Sequence, residues 1–403
     1  MFVKNNNLTK GLFVLLIILM ILILPTTSAV FIQSVKDTNK EDTLYVGGSG
    51  YGNYSSITDA IKDAKDGDTV FVYDESSPYY ENILVNKIIN LIGENKETTI
   101  IDARKNGSAV HLESSGVYIT GFTMKNASDL HGGIFVRSDN NKIIDNIISE
   151  NLFYGIELLK SLNNNISQNE LENNGNIGIV LFHSNHNSII GNNLTGNSRA
   201  MDLYYSSYNK IAENIFDDNY FTLGLYWGYS TESSSHNTIK KNTVSNNYGG
   251  IEIWGKSEGY LSDNVIIENN VSNNEVGISF NPYTSGNIVY HNNLVNNTNS
   301  FTGEPNNAYD FGENQWDNGE EGNYWSDYRE KYPNAVKKRG KPWIWNNPYN
   351  IQGFDNEDRY PLVDEWPKIK SKVLPVNRIS MLKSIFLETY ENIFTFLKIL
   401  NLF

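Results

Sequence analysis

The chain has 403 residues, 46 acidic and 32 basic side chains, a net charge of −14 and no cysteine. An acidic surface of that size excludes nucleic acid and anionic membrane as the main partner. The missing cysteines exclude disulfides and thiolate metal sites but do not place the chain in the cytosol, because a large repetitive core can dispense with cross-links.

At the amino end, Lys4 and Lys10 precede an apolar run from Leu12 to Leu24, followed by Pro25 and Thr27-Ser28-Ala29. That pattern predicts a signal peptide over residues 1–29, cut after Ala29, and an exported protein that is extracellular, periplasmic or attached to the cell surface. The run is short for a membrane span; an uncleaved amino-terminal anchor is the alternative. Leu44-Tyr45-Val46 reads as a first strand. Ser56-Ile57-Thr58-Asp59 starts a short helix, to about Lys65, that covers the open end of a core. Strands are expected at Ile83–Val85, Ile88–Ile92, Thr99–Ile101, Val110–Leu112 and Val117–Met124.

From Ile134 to Asn297 one pattern recurs seven times: asparagine, an aliphatic residue two positions on, asparagine five positions on. It begins at Asn141, Asn164, Asn187, Asn209, Asn237, Asn264 and Asn287, in steps of 23, 23, 22, 28, 27 and 23 residues. A second element, small–apolar–x–apolar, keeps the same beat from Gly133-Ile134-Phe135-Val136 to Gly277-Ile278-Ser279-Phe280. The period is too short for helix pairs and the apolar alternation is two, so each period is one coil of short parallel strands. Coils stack about 4.8 Å apart, with Ile over Ile in the core and Asn over Asn in amide ladders. The fold class is all-β: a single-stranded right-handed parallel β-helix over residues 43–300.

Residues 301–366 hold most of the tryptophans and form an aromatic-rich cap, in which Trp316, Tyr324 and Trp325 close the core. A linker and an amphipathic helix fill residues 367–403. Apolar positions from Leu382 to Leu400 keep helical spacing, and Glu388, Glu391 and Lys398 prevent it from spanning a membrane. Residues 379–403 are expected to dock on the solenoid or an envelope partner, or to lie on a membrane surface.

Asp66-Gly67-Asp68-Thr69-Val70, Tyr80-Glu81-Asn82-Ile83, Lys87-Ile88-Ile89-Asn90-Leu91-Ile92-Gly93-Glu94 and Gly121-Phe122-Thr123 resemble the opening of NosD-like β-helix proteins. Asn314-Gln315-Trp316-Asp317, Gly322-Asn323-Tyr324-Trp325-Ser326-Asp327-Tyr328 and Asp358-Arg359-Tyr360-Pro361-Leu362 resemble their terminal signature. The resemblance covers about residues 43–363 and implies an exported β-helix, with copper among its ligands and carbohydrate-binding or sugar-hydrolysing proteins among its looser relatives. One stretch departs from that pattern. Lys337-Lys338-Arg339-Gly340-Lys341-Pro342-Trp343 stands where the family carries an Asp- and Gly-rich segment, which puts a calcium role there in doubt.

Chemistry can live on the outward residues of the recurring strand: Phe135, Glu157, Val180, Asp202, Tyr226, Glu252 and Ser279. Two positions further on the same face shows Arg137, Leu159, Phe182, Tyr204, Gly228, Trp254 and Asn281. Glu157, Phe182, Asp202, Tyr204, Tyr226, Glu252 and Trp254 are thus expected to form an exposed strip that binds polysaccharide, rings stacking on sugars and carboxylates accepting hydroxyl hydrogen bonds. If the strip is catalytic, Asp202 and Glu252 carry it, two coils or about 9.6 Å apart. That is the wide edge of the ~6.5–9.5 Å separation of inverting glycosidases. Copper requires histidine here, and His183, His186 and His236 are the candidates: the first two lie three apart near one corner, and His236 shares the repeat position of His186 two coils on, about 9.6 Å away. The expected whole is a non-catalytic, monomeric binding protein for polysaccharide or another envelope component, without a resident cofactor. A polysaccharide-active enzyme (lyase, hydrolase or epimerase) and a copper-handling accessory protein are the alternatives.

Overall fold

The computed structural model describes residues 41–128, 131–226, 233–256 and 261–367. The expected signal peptide and the amphipathic helix lie outside the described residues.

Stacking follows the repeat. Ile143 pairs with Ile166 and Ile166 with Ile189, then Ile211, Ile239, Ile266 and Val289 continue the column, all fully buried. Burying each such side chain is worth about 2 kcal/mol, which is why the positions tolerate only apolar residues. Three parallel sheets of 13, 10 and 11 strands wrap one core as a right-handed β-helix. The first contains the Ile143 column, and the second the column Ile148, Leu171, Leu194, Phe216, Val244, Val271 and Leu294. The third contains the small–apolar–x–apolar strands. The long steps of 28 and 27 residues leave these registers intact; residues 227–232 and 257–260, where the extra length falls, are outside the described residues.

Short strands need tight corners, and these use two residues in tandem. Asn140, Asp145 and Glu150 adopt left-handed φ values of 59°, 55° and 55°, and each is followed by a buried asparagine. The ladder asparagine itself does not take the left-handed conformation; its neighbour does. Each left-handed non-glycine residue costs about 1–2 kcal/mol, and the amide at the next position offsets this by bonding upward and inward. Asn192 illustrates it: Nδ2 donates to Ile166 O at 2.9 Å and to Asn214 Oδ1 at 3.0 Å, while Oδ1 accepts from the amide of Asn169. A third ladder, Asn151–Asn174–Asn197–Asn219–Asn247–Asn274–Asn297, runs five positions after the second of the two seen in the sequence. A shorter serine column, Ser161–Ser184–Ser206–Ser234, joins them.

All three ladders point the same way. They begin on the backbone N–H groups of Val117, Phe122 and Ala127, which donate to Asn141, Asn146 and Asn151. At the far end, Asn314 Nδ2 donates to Asp310 Oδ1 at 2.9 Å and Asn307 Nδ2 to Asp327 Oδ1 at 2.7 Å. Asn323 Nδ2 ends on the carbonyl of Trp316 at 2.8 Å.

The expected strand over Val117–Met124 is two strands, Tyr118–Thr120 and Thr123–Lys125, on different sheets. Gly121 makes the turn at φ 81°, and a Cβ there would collide with the carbonyl of Gly93. The expected helix is Ile57–Asp63, capped by Ser56 Oγ accepting from Asp59 N at 3.1 Å; Ile57, Ala60 and Ile61 face the core.

At the other end Trp316 and Trp325 are buried, their ring centroids 5.7 Å apart. Each indole N–H meets a buried carboxylate: Asp310 at 2.8 Å and Asp358 at 2.9 Å. Burial pushes the Asp358 carboxyl up to about 7, against three donated hydrogen bonds that pull it down. Tyr349 stacks on Trp325 at 3.9 Å and Trp345 on Tyr328 at 5.0 Å. The basic stretch forms a hairpin, Lys337–Lys338 with Lys341–Trp345, that carries Ile344 and Trp345 into the lid.

Candidate functional site

The outer face of the third sheet carries the residues singled out in the sequence, with one change of register. Asp202 pairs with Gly224, not with Tyr226, and Gly224 pairs with Glu252. Both Thr222-Leu223-Gly224-Leu225 and Gly224-Leu225-Tyr226-Trp227 fit the small–apolar–x–apolar pattern, so spacing could not choose between them. Tyr226 joins the flanking row instead: Leu159, Phe182, Tyr204, Tyr226 and Trp254 lie in register on successive coils.

The expected exposed strip is closed over. Glu157, Asp202 and Glu252 point away from the core, yet only 7%, 1% and 7% of each is exposed. Alternation decides which face a side chain leaves from; it does not say what lies across that face. Arg199 and the tyrosines lie across it here. Arg199 Nε donates to Asp202 Oδ2 at 2.6 Å, and Tyr204 OH donates to the same oxygen at 3.1 Å. Arg199 Nη2 reaches the Tyr226 hydroxyl, which donates onward to Glu252 Oε2 at 3.2 Å. Gly224 supplies the space, since a Cβ there would occupy the Tyr226 ring. The guanidinium also sits 4.9 Å from the ring centres of both Phe221 and Tyr226. One hydrogen-bonded chain thus runs Tyr204–Asp202–Arg199–Tyr226–Glu252 over three coils.

Desolvation sets the charge states. Burial raises the Glu252 carboxyl to about 7; the Arg199 charge lowers it and the Asp202 charge raises it further. Burial also raises Asp202, while Arg199 and Tyr204 pull it back. Burial raises Glu157 as well, against the His131 imidazole, whose Nδ1 stands 3.4 Å from Oε2.

The two flanks of this row are aromatic and more open. Tyr220 and Tyr248, stacked at 4.7 Å, precede the strands on the entry side. Trp254 and Tyr283 follow on the exit side, and all four are exposed. Phe182, Tyr204 and Tyr226 stack face to face at 5.1 and 5.4 Å. Both faces of Tyr204 are covered by its neighbours, so sugar stacking falls to the flanks, to Trp254 and to the outer side of the Tyr220–Tyr248 pair. Tyr220, Tyr248 and Tyr283 were missed in the sequence; for Tyr220 and Tyr248, their regular place beside the ladder asparagines Asn219 and Asn247 was the available signal.

The histidine candidates are corner residues. His183, His186 and His236 are left-handed, each one position before a ladder serine or asparagine. His183 stacks on Tyr205 at 4.4 Å, and the Tyr208 ring lies between His186 and His236 at 5.1 and 4.8 Å. A ring between two imidazoles prevents both from binding one ion. Met124 and Met201 are inside the core. Among the described residues no group of three or more His, Asp or Glu could hold a metal, and His186 and His236 do not converge on one ion.

A right-handed parallel β-helix with an outward aromatic and carboxylate row defines the class of protein. Residues 108–265 match the family described as right handed beta helix region, and residues 226–330 match periplasmic copper-binding protein (NosD). Together with the right-handed parallel solenoid, these two partial matches support a NosD-like β-helix family. Among solved structures it is similar to XylC in complex with xylose, at 12% identity and TM-score 0.51, over 63% of this chain and 69% of that one. The A-module of mannuronan C-5 epimerase AlgE6 of Azotobacter vinelandii matches at 13% and 0.50, over 67% and 86%. ORF18 of Geobacillus virus E2 matches at 14% and 0.50, over 72% and 60%. Likeness at these identities concerns the fold alone. No curated protein matches the chain. Among the described residues no helix is long and apolar enough to cross a membrane.

Proposed function

We propose that this NosD-like β-helix is an exported, non-catalytic protein that binds polysaccharide across the outer face of the third sheet, between Tyr248 and Trp254. The observation that carries the reading is the placing of exposed rings on both sides of a buried carboxylate. Tyr248 stands before the strand Gly249–Trp254 and Tyr220 before its neighbour Phe221–Tyr226; Glu252 lies within the strand, Trp254 ends it and Tyr283 lies beyond. Rings offer flat apolar surface to sugar faces, and Glu252 with the Tyr226 hydroxyl offers the polar groups that fix orientation. Residues 248 to 254 span about 20 Å of extended chain, the dimension of an oligosaccharide rather than one sugar.

Affinity electrophoresis through gels containing a panel of polysaccharides tests this. Retardation by at least one polymer is expected, reduced at least tenfold in affinity by Trp254→Ala and by Tyr248→Ala with unchanged melting temperature. Retention of full affinity in both variants, or no retardation by any polymer, overturns it.

One observation favours a second reading, a polysaccharide-active enzyme: Glu252, raised to about 7, has the acidity of a general acid at neutral pH. Asp202 speaks against the inverting pair, because it is sealed and bonded to Arg199 and has no room for an attacking water. Cleavage of a bound polymer, lost in Glu252→Gln while binding persists, would establish the enzyme instead.

A further inference from the structure

Five coils before Glu252, at about 24 Å along the axis, the same sheet face carries a second cluster. His111, Phe135 and Glu157 are in register on successive strands. Phe135 is sandwiched between two imidazoles, His111 at 4.8 Å and His131 at 4.5 Å, so the rings present their edges outward. They border a cleft of about 430 Å³ whose wall includes Asn82, Ser108 and Arg137.

Two features set this cleft apart from ordinary surface. Two of the side chains that line it, Ser108 through Oγ and His111 through Nε2, hold buried polar atoms without a hydrogen bond, and Glu157 Oε2, next to the lining residue His131, is a third. Glu113 approaches His111 Nε2 only to 3.9 Å, and His131 Nδ1 approaches Glu157 Oε2 only to 3.4 Å. Buried polar atoms are nearly always bonded, so a cluster of exceptions calls for a partner. Secondly, Arg137 is exposed at the rim and makes no ion pair with the described residues, in a chain of net charge −14. A guanidinium in that position is a planar fork for a planar anion, and a carboxylate fits it with two parallel hydrogen bonds. The remaining needs, an acceptor or donor for Ser108 Oγ and His111 Nε2, are those that sugar hydroxyls meet.

We propose that the cleft is a subsite for a carboxylate-bearing sugar, a uronate, its carboxylate on Arg137 and its hydroxyls on His111 and Ser108. Glu157 does not line the cleft and makes none of these contacts. Only the ligand's being a sugar rests on the polysaccharide reading; the residues are separate from Tyr248 and Trp254.

Titration calorimetry of the full chain with oligogalacturonate and oligomannuronate, each beside its methyl ester, tests the assignment, since esterification removes the charge and keeps the sugar. At least one acid oligomer should bind tenfold or more tighter than its ester. Arg137→Gln should abolish that preference without shifting the melting temperature. Equal binding of acid and ester, binding of neither, or a preference that survives Arg137→Gln overturns the proposal. Trp254→Ala separates the two readings: loss of the acid preference in Arg137→Gln alone, with Trp254→Ala unaffected, leaves the uronate subsite and removes the flanking-ring site.

Discussion

Replacing Glu252 by glutamine tests whether the outer face is a desolvated site or ordinary surface. The carboxyl rises from 4.5 to about 7 on folding, chiefly through burial. The folded protein therefore holds this proton between pH 4.5 and 7, where the unfolded chain has released it. Stability contributed by the group is undiminished below pH 4.5 and falls as pH rises through that window. At about 1.4 kcal/mol per pH unit the loss totals about 3 kcal/mol by pH 8. Glutamine does not titrate and still accepts from Tyr226 OH. Glu252→Gln should match the native chain near pH 5 within about 1 kcal/mol and exceed it by about 3 kcal/mol at pH 8. Urea unfolding followed by tryptophan fluorescence at pH 5, 6.5 and 8 measures the difference. A variant that parallels the native chain at every pH would mean that Glu252 is solvated, and the hydrogen-bonded chain through Tyr226 would lose its basis.

Arg199→Met should cost about 3–5 kcal/mol, because it leaves Asp202 buried without its cation; Arg199→Met with Asp202→Asn should recover much of it in the same unfolding assay. Asn192→Ala strands Ile166 O and the Asn169 amide groups in the core and should cost about 3 kcal/mol; Asn334→Ala, in an exposed turn of the cap, serves as the comparison and should stay within about 0.5 kcal/mol. Gly121→Ala, strained at φ 81° and driven against Gly93, should lower stability by at least about 2 kcal/mol in thermal melts. No change there would mean the turn between the first two sheets can relax.

Much of the fold was legible because the repeat acts on every coil alike. Ile143, Ile166 and Ile189 must occupy equivalent places if the period is one coil, and they do. The third asparagine ladder was equally available, at Asn151, Asn174 and Asn197, but its positions fall beyond the five-residue pattern that was followed. The site was less legible for a different reason. Periodicity places Asp202 and Glu252 on the outer face, but their burial depends on how far Arg199 and Tyr226 reach across neighbouring coils. That reach depends on Gly224 leaving room for a ring from its own strand. Such contacts are specific to one coil and leave no trace in a repeating pattern. The same local ambiguity shifted Tyr226 by two positions.

The shared direction of the asparagine ladders makes the two ends of the solenoid chemically unlike. Each amide column starts by taking a hydrogen from the chain and finishes with an NH₂ to give away, so the amino-terminal cover must supply donors and the carboxy-terminal one acceptors. Asp310 and Asp327 answer that need, which accounts for carboxylates beneath an aromatic lid. The two covers are therefore not interchangeable, whereas extra coils spliced between Asn164 and Asn264 should lengthen the protein without altering either end.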